Sequence, residues 1–286
     1  MADAAPKAAK KSGGKPDLAS LGGLILALGG ILGGLVMEGG KVRDVSQVTA
    51  AIIVLCGTIG AVMVTTPMHT LIGAVKKLSM VFFDQDQSPH AMIEEIIGYA
   101  TKARKSGIVS LEHEADAIQD PFLRKALNLA VDGTDLDVIR KTMELQISLE
   151  EHHAEEEAKV FEAAGGYAPT IGIIGAVLGL IQVMKNLANI EEVGHGIAVA
   201  FVATVYGVAS ANIFFLPAGA KIKARVHKVI QNRELMLEGV VGIVEGLNPK
   251  LIRSKLEAYE GQTPAKKEAK APKSAKAPAQ AAAAEG

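Results

Sequence analysis

Four runs of this chain carry no Asp, Glu, Lys or Arg: residues 18–37, 49–75, 163–184 and 196–220. Each is long enough for a helix that crosses a hydrocarbon core, which takes about 20 apolar residues. The chain is 49% hydrophobic yet 21% charged. Its mean hydropathy of +0.26 is high for that charge content, so apolar blocks must alternate with charged ones. The pattern predicts an all-α, polytopic membrane protein with four transmembrane helices and a separate charged helical domain.

In chain order, residues 1–17 are rich in Ala, Lys, Gly and Pro and include Lys7, Lys10, Lys11 and Lys15. That composition cannot bury a core and reads as a disordered basic arm. Residues 18–77 hold the first two spans. Gly29/Gly33 and Gly30/Gly34 are small-xxx-small pairs that let another helix approach the backbone. Pro67 removes a backbone donor near the end of the second span and is expected to kink it. Over residues 78–162 charges recur every few positions and apolar stripes appear at helical spacing, Ile93, Ile96, Ile97 and Ala100 being one and Leu123, Leu127, Ala130 and Val131 another. Gly107, Pro121 and Asp132-Gly133 punctuate this block, which reads as a bundle of amphipathic helices whose last, acidic member runs into the third span. Residues 163–220 hold spans three and four, with Pro169 where the third would start and Pro217 where the fourth would end. Residues 221–260 form a basic helix ending around Asn248-Pro249 and a short second helix, and 261–286 an Ala/Lys/Pro tail, disordered by composition.

Orientation follows from the basic residues beside the spans. The N-terminal arm, Lys76/Lys77 and Lys221/Lys223/Arg225 fall on one side, whereas the short links carry only Lys41 and Arg43, or Lys185. Both termini and the 78–162 block are therefore expected in the cytoplasm. The N-terminal region does not read as a cleaved signal peptide, and the first apolar run is expected to be retained.

The four apolar runs contain no carboxylate, although ion-coupled machines usually need an ionisable group within the membrane. If the protein conducts ions, another chain must supply that group. The polar atoms available are hydroxyls, with Thr204 and Tyr206 in mid-span; Thr204 bonding only its own helix carbonyl is the plainer alternative. Cys56 lies alone in an apolar run and makes neither a disulfide nor a zinc site. His69, His195 and His152-His153 lack ligand spacing, so no metal site is expected. No phosphate-binding, dinucleotide or nucleophile-elbow motif is present, so no enzyme is expected. The net charge of −1 gives no reason to expect a nucleic-acid partner. In ATKARKSGIVSLEHEAD, bases close one helix and acids open the next, which helix-end electrostatics partly explains. The alternative is a bipolar tip that meets a charged partner.

These residues resemble the MotA/PomA family of bacterial flagellar stator subunits. The resemblance covers nearly all of 18–260 and rests on YAPTIGIIGAVLGLI, on FVATVYG with FFLPAGAKIK, and on ARKSGIVSLE. It implies that Pro169 and Pro217 are the prolines of an ion-coupled conformational hinge. Arg104 and Glu112 match a charged pair that engages the rotor, the switch protein FliG. Thr204 matches a threonine beside the ion path, which also takes in Tyr206 and Ala176. It further implies a homopentamer around two helices of a MotB/PomB-type partner that carries the ion-binding Asp and a peptidoglycan-binding domain. The location implied is the bacterial inner membrane, with the lipid bilayer around the spans. No cofactor is implied beyond the coupling ion. Sodium-driven members carry a Thr where this chain has Ala176 in GAVLGL, which points to protons rather than sodium. An ExbB/TolQ-like energiser of an envelope protein and a scaffold without transport are the alternatives. The first typically has three spans and no such tip pair.

Overall fold

The computed structural model describes residues 15–84 and 88–260. It opens with β1, Lys15–Pro16, and α1, Leu18–Met37, followed by a 3₁₀ turn at Val42–Val45. Then come α2, Val48–Thr65; α3, Met68–Lys77; α4, Ser79–Phe82; and β2, Phe83–Asp84. The charged block holds α5, Pro89–Ser106; a 3₁₀ turn at Ile108–Leu111; α6, Glu112–Ala117; and α7, Pro121–Val131. The long elements follow: α8, Leu136–Lys185; α9, Ile190–Ala209; a π-helical turn at Ser210–Phe215; α10, Leu216–Val244; and α11, Pro249–Glu260. Among the described residues, four helices are long and apolar enough to cross a membrane.

The molecule is built on α8. Its 50 residues rise to about 75 Å at 1.5 Å per residue. The acidic N-terminal half lies in the charged domain and the apolar C-terminal half among the spans, with α10 along the first and α9 along the second. In the charged domain the expected stripes line the core: Ile93, Ile96, Ala100, Leu123, Leu127 and Ala130 are buried, and Ile139 and Met143 of α8 join them. Among the spans, Ala50 and Val54 of α2 pack on Val202 and Ala203 of α9. The predicted breaks hold. Gly107 and Gly133 turn the chain with φ of 80° and 72°, a region open to glycine at little cost, and Gly246, which was not among the predicted breaks, does the same at 69°.

Several sequence expectations are corrected. The second span is not one helix to residue 75, because α2 stops at Thr65 and Pro67 caps a separate α3. Pro169 does not start the third span but lies inside α8. Pro217 does not end a helix, since the helical path runs from Ile190 to Val244. The 163 boundary is therefore no break in the backbone. The chain from Lys15 to Asp17 is ordered; residues 1–14 of the expected arm and the tail 261–286 lie outside the described residues.

That ordered stretch ties the first span down. β1 pairs antiparallel with β2, Lys15 opposite Asp84, and the Asp17 N–H donates to the Phe82 carbonyl at 2.8 Å. Asp17 also caps α1, accepting from the N–H groups of Ala19 and Ser20. Its other oxygen takes Lys221 Nζ at 2.6 Å and Arg225 Nη2 at 2.7 Å, and Arg225 also pairs with Asp84. No residue of α1 is buried, so this latch, with contacts to α4, the π turn and the first 3₁₀ turn, holds the helix.

The hydrogen bond from Lys221 is the main reason that the Asp17 carboxyl is held well below the usual carboxylate range. A lowered folded-state pKa gives stability that is present above the ordinary carboxylate pKa of about 4 and is lost as pH falls through the lower folded value. Asn keeps the cap but not the charge. We expect Asp17→Asn to destabilise the solubilised protein by about 1–2 kcal/mol at pH 7, read by thermal melting. The gap should close as pH falls below the ordinary carboxylate range.

Candidate functional site: the glycine seam and the charged tip

The apolar half of α8 meets α9 through a line of small residues. A Cβ added at Gly172 would lie 2.9 Å from the Ala203 carbonyl oxygen, and one at Gly179 would lie 2.8 Å from the Ala200 nitrogen. At Gly207 it would lie 2.5 Å from the Ala168 oxygen and 3.2 Å from the Pro169 Cα. The two backbones thus touch, and no side chain larger than hydrogen fits at these positions. The closest approach sits at Ala168, the residue before Pro169. This proline has no N–H for the Gly165 carbonyl one turn earlier. Gly165 in turn packs against the Leu216 side chain, next to Pro217. Pro217 follows the π turn, whose looser winding absorbs the missing donor and the ring. Both expected hinge prolines thus come to one level of the α8–α9–α10 path, and Pro217 is exposed.

α2 rests on one flank of the seam, with Gly57 against Ile171 and Ile53 against the Gly175 position. At about 100° per residue, Pro169 and Ala176 lie roughly 140–160° around α8 from Ile171. Thr204 lies about 160° around α9 from Val202, which packs on α2. Pro169, Ala176 and Thr204 therefore share the flank turned away from α2. Thr204 Oγ1 donates to its own helix at Ala200 O, 3.2 Å away. Tyr206 does not join them. It packs on Ala50 and Val54; its hydroxyl donates to Val45 O at 2.6 Å and accepts from the Gln47 N–H at 3.3 Å. The structure thus does not bring Tyr206 together with Thr204: two residues along a helix turn about 200°, and this hydroxyl pins the α1–α2 link.

Among the span hydroxyls that the sequence offers, one more stands out in the structure. Thr58 of α2 is fully buried and its hydroxyl has no hydrogen-bond partner among the described residues. Its place in the Ala50, Val54, Thr58, Val62 stripe, four residues apart, was a readable sign of burial. Among the described residues no cluster of His, Cys, Asp or Glu could hold a metal ion.

At the far end, α5 closes with Arg104 and Lys105 in its last turn and α6 opens with Glu112 and Glu114. Lys102 Nζ bridges to Glu114 at 2.6 Å and locks the two helices together. Arg104 and Glu112 remain exposed and make no ion pair among the described residues. The structure thus separates a structural pair from two outward charges.

Packing this tight gives glycine substitutions opposite signs. We expect Gly207→Ala to destabilise by about 1–3 kcal/mol through overpacking at Ala168. Gly166→Ala, with nothing within 4 Å of its Cβ, should be neutral or stabilise by up to about 1 kcal/mol through helix propensity. Thermal melting of the two variants in detergent checks the pair.

Comparison with known proteins matches this arrangement. The model "Motility protein A N-terminal" matches residues 21–106, and "MotA/TolQ/ExbB proton channel family" matches 114–235. Motility protein A of Bacillus subtilis is 36% identical over 247 residues, 85% of this chain and 90% of that one. The structure of C. jejuni MotAB superposes with a TM-score of 0.81 at 33% identity, covering 85% of this chain and 95% of its own. The flagellar MotAB stator complex from Bacillus subtilis gives 0.78 at 34%, covering 85% and 96%. The backbone seam, the four spans and the charged tip thus sit in a frame shared along nearly the whole of these relatives, and the chain belongs to the motility protein A family: it is a multi-pass membrane subunit of the flagellar stator, not an enzyme.

Proposed function

We propose that this chain surrounds the helices of a MotB/PomB-type partner, as one of five copies, and converts inward proton flow into torque on the rotor switch protein, FliG. The observation that carries the reading is the division of chemistry along α8. Its apolar half has no carboxylate, so the ion-binding group belongs to another chain. Its acidic half runs unbroken to the end of the molecule that bears Arg104 and Glu112. The flank turned away from α2, with Pro169, Ala176 and Thr204, is the surface offered to the partner. Protonation of the partner's carboxylate shifts packing at Pro169 and Pro217, and α8 carries the change to the tip.

The basic residues beside the spans support a reading with both termini and the charged domain in the cytoplasm and the spans in the inner membrane. Ala176 offers a methyl where a hydroxyl oxygen would help replace a sodium ion's water, which supports protons as the coupling ion. The four spans favour a stator over an ExbB/TolQ-like energiser.

Swimming speed should fall with a proton uncoupler and stay flat as external sodium is varied; the reverse would assign sodium. Arg104→Glu and Glu112→Lys should each reduce motility at least several-fold with normal membrane levels, and intact motility in both would remove the tip from the rotor contact. Pro169→Ala should assemble normally and lose most torque. Full torque would count against the hinge.

A further inference from the structure

The charged domain ends in a recess of which the rotor reading uses only Arg104. α5, α7 and α10 all finish there, and α8 begins there. The recess has a volume of about 310 Å³ and lies among Ala103, Ile108, Ala130, Val244 and Leu247. Arg104 is the one charged residue on its wall. Thr134, also on the wall, lies about 50 Å along α8 from Pro169, so the recess opens at the end of the molecule remote from the spans. The turns at Gly107, Gly133 and Gly246 bring the helix ends together. A Cβ at any of the three would meet nothing within 4 Å, so they are glycines for conformation and leave the mouth clear.

We propose that this recess receives an apolar side chain from the rotor protein, with an acidic residue beside it paired to Arg104. The inference rests on the rotor reading of the tip and names a second determinant within it. Charge chooses the occupant. The wall is apolar and its single cation, exposed and without an ion pair among the described residues, calls for a carboxylate next to the inserted group. Charge at the rim sets register and encounter rate, whereas a buried apolar anchor slows release. The tip thus combines a steering element with a holding one.

The test uses the full chain with its partner subunit in cells lacking the native pair. Ala103→Phe fills the recess and leaves Arg104 and Glu112 in place. It should cut stator occupancy at motors, counted as fluorescent foci, by tenfold or more at unchanged membrane abundance. As a measurement that does not depend on a bulky variant, Ala103→Cys in a Cys56→Ala background is labelled with a maleimide. The purified rotor protein should slow labelling at least fivefold. Normal occupancy for Ala103→Phe, or unchanged labelling with rotor protein bound, overturns the recess even if Arg104→Glu abolishes motility. If Arg104→Glu and Glu112→Lys are both silent while the recess variants fail, the charged contact falls and the apolar one stands. If a neighbouring copy of this chain, not the rotor protein, protects the cysteine, the recess is an interface between copies and the proposal is overturned.

Discussion

Backbone contact between α8 and α9 is the condition for the rest of this structure. Lipid tails are as apolar as leucine, so no hydrophobic force sorts one span against another. What remains is dispersion, about 0.1–0.2 kcal/mol per atom pair, which needs many atoms at close range. Gly172, Gly175, Gly179, Gly196 and Gly207 supply that range by removing the side chains that would hold the helices apart. The seam then continues out of the apolar zone, where Gly219 of α10 lies against Ala158 of α8. One line of small residues therefore fixes spans and charged domain as a single frame. With α2 filling one flank, the other is left free for Ala176 and Thr204.

Outside the spans the frame is held differently. Glu157 fills the space that a Cβ at Gly73 would need and pairs with Lys77 at 3.0 Å, tying α3 to α8. Lys223 reaches Glu162 at 2.7 Å, and Arg233 spans Asp120 and Glu150 while stacking over Phe122. Such half-exposed pairs contribute little singly, roughly 0–1 kcal/mol each. Their effect lies in geometry: they join neighbouring helices at several levels, so the charged half of α8 moves as part of a body.

Much of this was legible because the signals are local. Uncharged runs mark spans wherever they stand, and Gly107, Pro121 and Asp132-Gly133 mark turns by their own backbone preferences. The stripe through Ile93, Ile96 and Ala100 needs only the helical period. What could not be read depends on distant partners. Pro169 lies inside a helix with Gly207 against its Cα and Leu216 against Gly165 one turn earlier, and neither partner is near it in sequence. Asp17 looked like the end of a disordered arm because its cations, Lys221 and Arg225, lie some two hundred residues away. Tyr206 is a different case. Its separation from Thr204 follows from the helical period alone, and proximity in sequence concealed it.

The two prolines bear on where the frame can bend. A proline inside a helix costs about 3 kcal/mol or more relative to an unbroken ladder, because a donor is lost and the ring crowds the preceding turn. Here two irregularities fall at one level: the lost donor at Pro169 in α8, and the π turn that accommodates Pro217. Gly165, whose carbonyl has lost its donor, touches Leu216 between the two defects. Neighbouring levels have intact hydrogen bonding, with glycine contacts on one side and ion pairs on the other. Bending therefore costs least where the two defects meet. From that point α8 extends about 50 Å back to its start at Leu136, so a tilt of about 5° would move that end by roughly 4 Å, most of a helical turn.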